Sequence, residues 1–482
     1  MTVLSPNVCS QKNSTSAIPP SITSFNGEDG RTSPEPPLYQ HQVADIQFCL
    51  DNPLVYNASD CGTGKTRTCI EVIRQSKAKT LVLAPKSILR AAWEDDCTKF
   101  APELKVSVAF ANNRDKAFKA DADVYVTNID AVNWLAKNPK VMEKFKGGLL
   151  IVDESTAYKH HTSNRSKAAK AISKLFARKI LMSGTPNPNG ILDIWGQMLI
   201  LDEGERLGSS YWGFRQVACM PIQNGPGAQH IKWVDRPGIE DAVFDLISDI
   251  CIRHRLEDVI DMPKNVVSHM HVDLSHKVES AYRELQEQSL LMVKDKVVTA
   301  LNAGSLVQKL LQTLSGSVYD ENGETVDIDN ERTELVLDLV EQRSQSVVAF
   351  IWKHQRDQLI AEATKRGITF GVIDGSTPDE KRGEIVNQFQ AGELRAIFAH
   401  PQSAGHGLTM TRGVATIWAS PTYNAEHFKQ FNHRIYRAGQ KQRTETILIS
   451  ARGTHESKVY DALERKLDSM NTLLTLIGDA ND

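Results

Sequence analysis

Two series of short, almost uninterrupted apolar runs set the strongest limit on how this chain can fold. Leu54–Asn57, Thr80–Ala84, Val124–Thr127, Leu149–Val152 and Lys179–Met182 make up the first series. Val347–Ile351, Thr369–Ile373, Arg395–Ala399, Thr416–Ala419 and Thr446–Ser450 make up the second. Short runs without polar alternation fit strands covered on both faces, the situation inside a parallel sheet. Helical patterns separate most of them, so the expected fold class is α/β, with two doubly wound sheets instead of one. The length of 482 residues agrees, since it exceeds what one hydrophobic core usually serves.

The rest of the chain divides around these series. Residues 1–37 are rich in Ser, Thr, Asn and Pro and are expected to form a disordered arm, because they offer too little apolar surface to offset ordering. Residues 38–210 are expected to be the first lobe and residues 331–482 the second, ending in an amphipathic helix, His455–Ile477. Between them, 211–330 reads as a mostly helical insertion, broken by a Gly/Pro loop at Asn224–Gly227 and carrying heptad-like leucines over Ser275–Leu314. The seven cysteines are scattered without a C-x-x-C pair, which argues against a zinc site and for a reduced, intracellular protein, cytoplasmic or nucleoid-associated. No apolar stretch approaches the ~20 residues of a membrane span, and the first residues lack the pattern of a signal peptide. The net charge of -3 neither favours nor excludes a nucleic-acid partner, because phosphate binding needs basic residues on one surface and not a positive sum.

The first series carries a phosphate site. Ser59-Asp60-Cys61-Gly62-Thr63-Gly64-Lys65-Thr66 follows one apolar run and opens a helical pattern, Arg67–Arg74. Strand, glycine loop and helix in that order form a P-loop. Glycines turn backbone N–H groups inward around phosphate oxygens, and the helix N-terminus adds its positive end. The expected ligand is ATP, with Gly62, Thr63 and Gly64 in the cradle, Lys65 on the β- and γ-phosphates and Thr66 offering its hydroxyl to Mg2+. Ser59 stands where the usual pattern begins with glycine. Upstream, Leu38-Tyr39-Gln40-His41-Gln42 offers an amide that could both donate to and accept from adenine. Gln42 is the first candidate and Gln40 the second; a plain polar helix start is the alternative.

Leu149-Leu150-Ile151-Val152-Asp153-Glu154 is an apolar strand ending in two acids, at the strand end where α/β sheets bind ligands. Asp153 is expected to hold Mg2+, and Glu154 to orient and deprotonate an attacking water. Ser183-Gly184-Thr185-Pro186, small hydroxyl residues on a tight turn after the next strand, suits an element coupling nucleotide to a partner site. In the second series, Gln430 through Gln440 reads as one helix stopping near Gly439, with Gln430, Arg434 and Arg437 on one face. Two guanidiniums there repel unless an anion lies between them, and a γ-phosphate on the other lobe supplies one. An arginine finger in such a place contributes roughly a thousandfold or more in rate. The alternative is a solvated basic face. His160-His161, and His269 with His271, have no third metal ligand nearby in sequence and read as solvated or hydrogen-bonded.

Together these residues resemble the superfamily-two helicases, and within them the Swi/Snf-like branch of DNA translocases, over about Leu38 to Lys466. The matching pieces are Leu38–Gln42, the P-loop, Ala84-Pro85-Lys86-Ser87, Asp153-Glu154 and Ser183–Pro186. Arg253-His254-Arg255 with Asp258-Val259 and Met262-Pro263-Lys264 is similar to a basic element between that branch's lobes. Asp374–Thr377, Ala404–Thr409, Gln430–Gln440 and Thr454-His455-Glu456 complete the second lobe. The resemblance implies two tandem RecA-like lobes, with nucleic-acid backbone contacts at Lys86, Ser87, Thr127, Asn128, Gly407 and Thr409. It also implies coupling through Ser183, Gly184 and Thr185, nucleotide contact by Gln430, and Arg434 and Arg437 at the γ-phosphate, with Arg437 as the finger. The chain departs from the branch at Ser155-Thr156, where a small residue and then His are usual, which leaves open how the acids communicate with Ser183. Chromatin-reading domains and large insertions are absent, the build of minimal bacterial and viral members.

The implied activity is DNA-stimulated ATP hydrolysis driving movement along duplex DNA. A strand-separating DNA or RNA helicase is the alternative on the same fold, although no aromatic wedge hairpin is visible in the sequence; Trp352 or an insert near Trp212 could serve. A P-loop regulatory switch and an inactive nucleic-acid-binding module are further alternatives. The paired arginines and second α/β half weigh against the switch; intact Lys65, Asp153, Glu154 and Arg437 weigh against the inactive module.

Overall fold

Each apolar run becomes a strand because each is covered from both sides. The computed structural model describes residues 37–223, 231–294, 300–319, 324–404 and 407–479. The first half contains β1 (Leu54–Asn57), β2 (Thr80–Ala84), β3 (Val106–Ala109), β4 (Val124–Asn128), β5 (Leu149–Asp153) and β6 (Arg178–Met182). A hairpin of β7 (Cys219–Gln223) and β8 (Ile231–Asp235) follows, and the short β9 (Cys251–Ile252) then returns to the first sheet. That sheet has the order β3-β4-β2-β5-β6-β1-β9, all parallel. Alternate residues feed two cores: Tyr56, Leu81, Leu83, Leu150, Val152 and Leu181 pack on one face. Val55, Val82, Ile151 and Ile180 pack on the other.

The second sheet starts earlier in the chain than the apolar runs indicate. Its strands are β10 (Asn265–Val272) and, after the antiparallel pair β11 (Ser317–Tyr319) and β12 (Thr325–Asp327), β13 (Ser346–Ala349), β14 (Phe370–Ile373), β15 (Ala396–Ala399), β16 (Ala415–Trp418) and β17 (Thr444–Ala451). The order is β10-β17-β16-β13-β15-β14, again all parallel. Two doubly wound parallel lobes are therefore present, as expected.

The mostly helical reading of 211–330 leaves out its strands. The helices His276–Lys294 and Ala300–Leu314 are there, but so are the β7–β8 hairpin, β9 and β10. β10 pairs with β17 from Asn265↔Thr444 to Val272↔Ala451 at the sheet edge. Much of it is exposed, so Ser268, His269 and His271 are tolerated and no apolar run marks it. β3 is likewise an edge strand that the sequence reading passed over. The expected arm, the Asn224–Gly227 loop, and Gly405 and His406 of the Ala404–Thr409 motif lie outside the described residues, apart from Pro37.

A buried ion pair closes the second lobe. Arg332 donates from Nη1 and Nη2 to the two Glu456 carboxylate oxygens at 2.6 and 2.8 Å, and the Ala451 N–H donates to Glu456 at 2.8 Å. This fixes the start of the closing helix, His455–Asp479, against β17. Among the described residues, no helix is long and apolar enough to cross a membrane.

Candidate nucleotide site

The P-loop is shaped by two left-handed glycines. Gly62 has φ 91° and Gly64, the N-cap of the helix Lys65–Ser76, has φ 87°. A Cβ on Gly64 would lie 2.3 Å from Gln42 Nε2, the movable end of a side chain, and it is the left-handed backbone that calls for glycine. Lys65 Nζ donates to the carbonyls of Ser59 and Asp60 at 2.7 and 2.9 Å, which holds the ammonium within the loop. Thr63 is buried and Thr66 half-buried on the first turn of that helix.

Gln42 lies on the rim of this loop. It is buried, its Oε1 accepts from the Tyr39 N–H at 2.9 Å, and its Nε2 donates to the Gly64 carbonyl at 3.3 Å. Gln40 is exposed. His41 Nε2 is 2.8 Å from the Thr63 carbonyl, and its ring lies 5.1 Å from that of His254, whose Nε2 is 2.7 Å from Asp45. The helix start and the Arg253-His254 segment thus both clasp the P-loop.

The two acids end β5 as the sequence indicates. Asp153 is buried and accepts from Trp93 Nε1 at 3.1 Å; burial raises its carboxyl above the usual range. Glu154 has φ 58° and ψ 61°, a backbone conformation that non-glycine residues seldom adopt. Its Oε2 is buried without a hydrogen-bond partner, and its carboxyl is pushed up to about 8, first by burial and then by Glu426 and Asp153. The Thr66 hydroxyl and Asp153 carboxylate are the hard oxygen donors that Mg2+ takes together with phosphates. With the glycine cradle beside Lys65, the residues fit a magnesium nucleotide.

The second lobe comes onto the same loop, but not as one helix. The helix runs only over Ala425–Asn432, and Arg434 and Arg437 lie in turns beyond it. Past Asn432 the chain tightens: the Arg434 side chain takes the Gln430 carbonyl through Nε at 2.9 Å, and the Arg434 N–H donates to Phe431 O, three residues back, at 3.0 Å. The arginines still converge. Arg434 Nη1 and Arg437 Nη1 both donate to the Leu408 carbonyl, at 3.2 and 3.3 Å. A Cβ on Gly62 would be 3.1 Å from Arg437 Cβ, which puts this turn directly on the P-loop. Burial and then Arg437 push the Arg434 guanidinium down to about 10. Gln430 is buried with neither amide atom hydrogen-bonded.

Lys429 and Glu426 at this junction belong to no motif in the sequence. Lys429 Nζ lies 2.9 Å from Asp60 Oδ1 and donates to the Gly184 carbonyl at 3.2 Å, so the second lobe touches P-loop and coupling turn with one ammonium. Arg253 reaches the same Asp60 oxygen at 3.0 Å, and the Leu256 N–H donates to its other oxygen at 3.2 Å. Burial alone would raise the Asp60 carboxyl; Lys429 and Arg253 overcome it and hold the group well below the usual range. Glu426 accepts from Thr156 Oγ1 at 3.2 Å and pairs with Lys159 at 3.3 Å, again across the lobes. Ser183 and Thr185 are fully buried beside this junction, with Ser183 N–H donating to the Asn57 carbonyl at 3.1 Å.

The expected nucleic-acid residues are placed unevenly. Lys86 is exposed and Ser87 half-buried after β2. Gly407 is exposed, and a Cβ on it would lie 2.3 Å from Ile88, so this turn abuts the Lys86-Ser87 turn across the lobes. Thr409 is half-buried nearby. Thr127 does not fit the expectation: it is fully buried and its hydroxyl donates to the Ala109 carbonyl at 2.8 Å, because the strand end is covered by β3. Asn128 is half-buried and accepts from Arg114 at 3.2 Å.

A SNF2-related domain matches residues 56–318, more than half of the chain, and a helicase conserved C-terminal domain matches residues 331–441. The chain is similar to protein p41 of Acyrthosiphon pisum secondary endosymbiont phage 1, with 27% identity over 84% of this chain and 90% of the phage protein. It is also similar to an ATP-dependent helicase of Mycoplasma pneumoniae, 23% identical over 88% of this chain but spanning only 40% of that protein. Among solved structures it is similar to the Sulfolobus solfataricus SWI2/SNF2 ATPase core in complex with dsDNA, with a TM-score of 0.43, 22% identity, and coverage of 89% and 91% of the two chains. With both domains in tandem and the site built between them, the chain is a nucleic-acid-dependent ATPase and belongs to the SNF2-related family.

Proposed function

We propose that this ATPase uses each cycle of hydrolysis between its lobes to move along duplex DNA. The observation that carries the reading is the approach of Arg434 and Arg437 from the second lobe onto the first-lobe glycine loop. One nucleotide would then be contacted by both lobes, and its hydrolysis would change how they sit on a track. Lys65 would hold the β- and γ-phosphates, Glu154 would take a proton from the attacking water, and Arg437 would stabilise charge developing on the γ-phosphoryl group. Thr66 and Asp153 would hold Mg2+, which supplies charge neutralisation on the phosphates. Exposed Lys86, with the backbone around Ser87, Gly407 and Thr409, would grip phosphates of the nucleic acid without reading bases. Membership of the SNF2-related family supports a duplex track.

The test compares ATP turnover with duplex DNA, single-stranded DNA, RNA and no nucleic acid, over a range of salt. Duplex DNA should stimulate most, and stimulation should fall steeply with salt because phosphate contacts release counterions. A triplex-displacement assay should report ATP-dependent movement. Turnover indifferent to every nucleic acid would overturn the motor reading.

A strand-separating activity is the second reading, and the β7–β8 hairpin favours it. Ile222 and Ile231 are exposed on this hairpin, and Arg215 lies 4.4 Å from the Trp212 ring and 4.1 Å from the Trp233 ring at its base. Efficient unwinding of a forked duplex without triplex displacement would promote that reading over translocation.

A further inference from the structure

One buried side chain touches the acid turn, the coupling turn and the P-loop strand together. Gln197, on the helix Leu192–Asp202, is fully buried. Its Oε1 accepts from Ser155 Oγ at 2.6 Å and from Tyr56 OH at 2.8 Å. Its Nε2 donates to the Pro186 carbonyl at 2.7 Å and to the Asp193 carbonyl at 2.9 Å. Two acceptor and two donor sites exhaust what an amide can offer, so its orientation is fully determined. Ser155 directly follows Glu154, Pro186 closes the Ser183 turn, and Tyr56 belongs to β1, which leads into the P-loop.

The approach that allows this is built into the neighbouring residue. A Cβ on Gly196 would lie 2.7 Å from the Tyr158 carbonyl and 3.0 Å from that of Lys159, so the helix meets the turn after the acids backbone to backbone. The position where the Swi/Snf-like branch has His is Thr156 here, and its hydroxyl donates to Glu426 on the other lobe. Ser155 therefore carries the contact within the lobe.

We infer that Gln197 is a positioning residue that ties the turn bearing Glu154 to the Ser183–Pro186 turn, so that displacement of one is passed to the other. This deepens the ATPase reading above and rests on its assignment of Glu154 to the attacking water. Glu154 sits in a left-handed backbone conformation, so the residue that anchors the chain immediately after it sets where its carboxylate points. Misplacing a reacting group by about 1 Å costs up to roughly a hundredfold in rate.

The experiment titrates ATP against the full chain, with and without saturating duplex DNA, for wild type, Ser155→Ala, Gln197→Met and the double variant. Thermal unfolding of each reports packing separately. Each single change should lower DNA-stimulated kcat about tenfold while leaving KM for ATP within about twofold. The double variant should be no slower than Gln197→Met alone, because both changes cut one link. Should Gln197→Met fail to fold, the single-atom deletion Ser155→Ala decides by the same kcat and KM criteria. Folded variants with wild-type kcat, losses that multiply in the double variant, or a loss confined to KM would overturn the inference. Wild-type indifference to nucleic acid would strike the motor reading instead, and the same kcat comparison without DNA would still decide the role of Gln197.

Discussion

Glu154 combines a strained backbone with a buried, unpartnered oxygen, and both raise the cost of any group placed there without a chemical task. Glu154→Gln should preserve shape and ATP binding yet abolish turnover, whereas Lys65→Ala should weaken nucleotide binding itself. Nucleotide-binding and turnover measurements on the two variants separate these outcomes, and near wild-type hydrolysis by Glu154→Gln would remove that residue from its assigned role. Arg437→Ala should lower kcat by about a thousandfold with little change in KM, since a finger acts on the transition state. Normal activity, or simple unfolding, would return Arg437 to a structural role. Where Lys65, Asp153, Glu154 and the arginines sit was legible in the sequence because each belongs to a short motif whose spacing is local. Lys429 was not: its contact at Gly184 lies 245 residues away, and a lysine beside Gln430 carries no signal of its own. Thr127 shows the converse. A motif position cannot reveal that its hydroxyl is already engaged by a neighbouring strand.

At the scale of elements, strands buried on two faces announced themselves and strands at edges did not. β1 and β2 match their apolar runs residue for residue, while β10 reads as polar because one side of it needs no cover. The helix expected over Gln430–Gly439 failed for another reason: helical spacing was present, but the Arg434 side chain takes the Gln430 carbonyl and the Arg434 N–H turns back to Phe431. Another junction of elements sets a pH response. His354, at the start of the helix Lys353–Lys365, is buried with Nε2 2.7 Å from Ser315 Oγ, and burial pushes its imidazole down to about 4. A folded-state value below the ordinary 6.5 means the unfolded chain takes up the proton first. The stability His354 contributes is thus present above about pH 6.5 and is lost as pH falls towards 4. Thermal unfolding between pH 7 and 4 should show a smaller decline for His354→Gln than for wild type; equal declines would dismiss the link.

At the scale of the whole molecule, the P-loop, the connecting segment and the second lobe meet at one carboxylate: Asp60 with Arg253 and Lys429. Removing one partner of a buried ion pair costs more than breaking an exposed one, and Arg253 limits that cost here because it stays beside Asp60. Lys429→Ala should therefore raise KM for ATP about fivefold by loosening closure, with kcat less affected, while Arg253 still neutralises Asp60. Steady-state kinetics at low and high salt check this, and an unchanged KM would show that closure does not depend on the pair. The chain crosses between lobes by a short path, leaving the first sheet at β9 and entering the second at β10. The matched C-terminal helicase domain starts at residue 331, yet the strand covering one flank of β17 comes from Asn265–Val272. A polypeptide begun at residue 331 would display the unpaired backbone of β17 as a template for other chains, and unpaired edges of that kind drive self-association. Size-exclusion chromatography should find it aggregated, whereas one begun ahead of Asn265 should stay dispersed. The second lobe borrows its edge from sequence that family boundaries assign to the first.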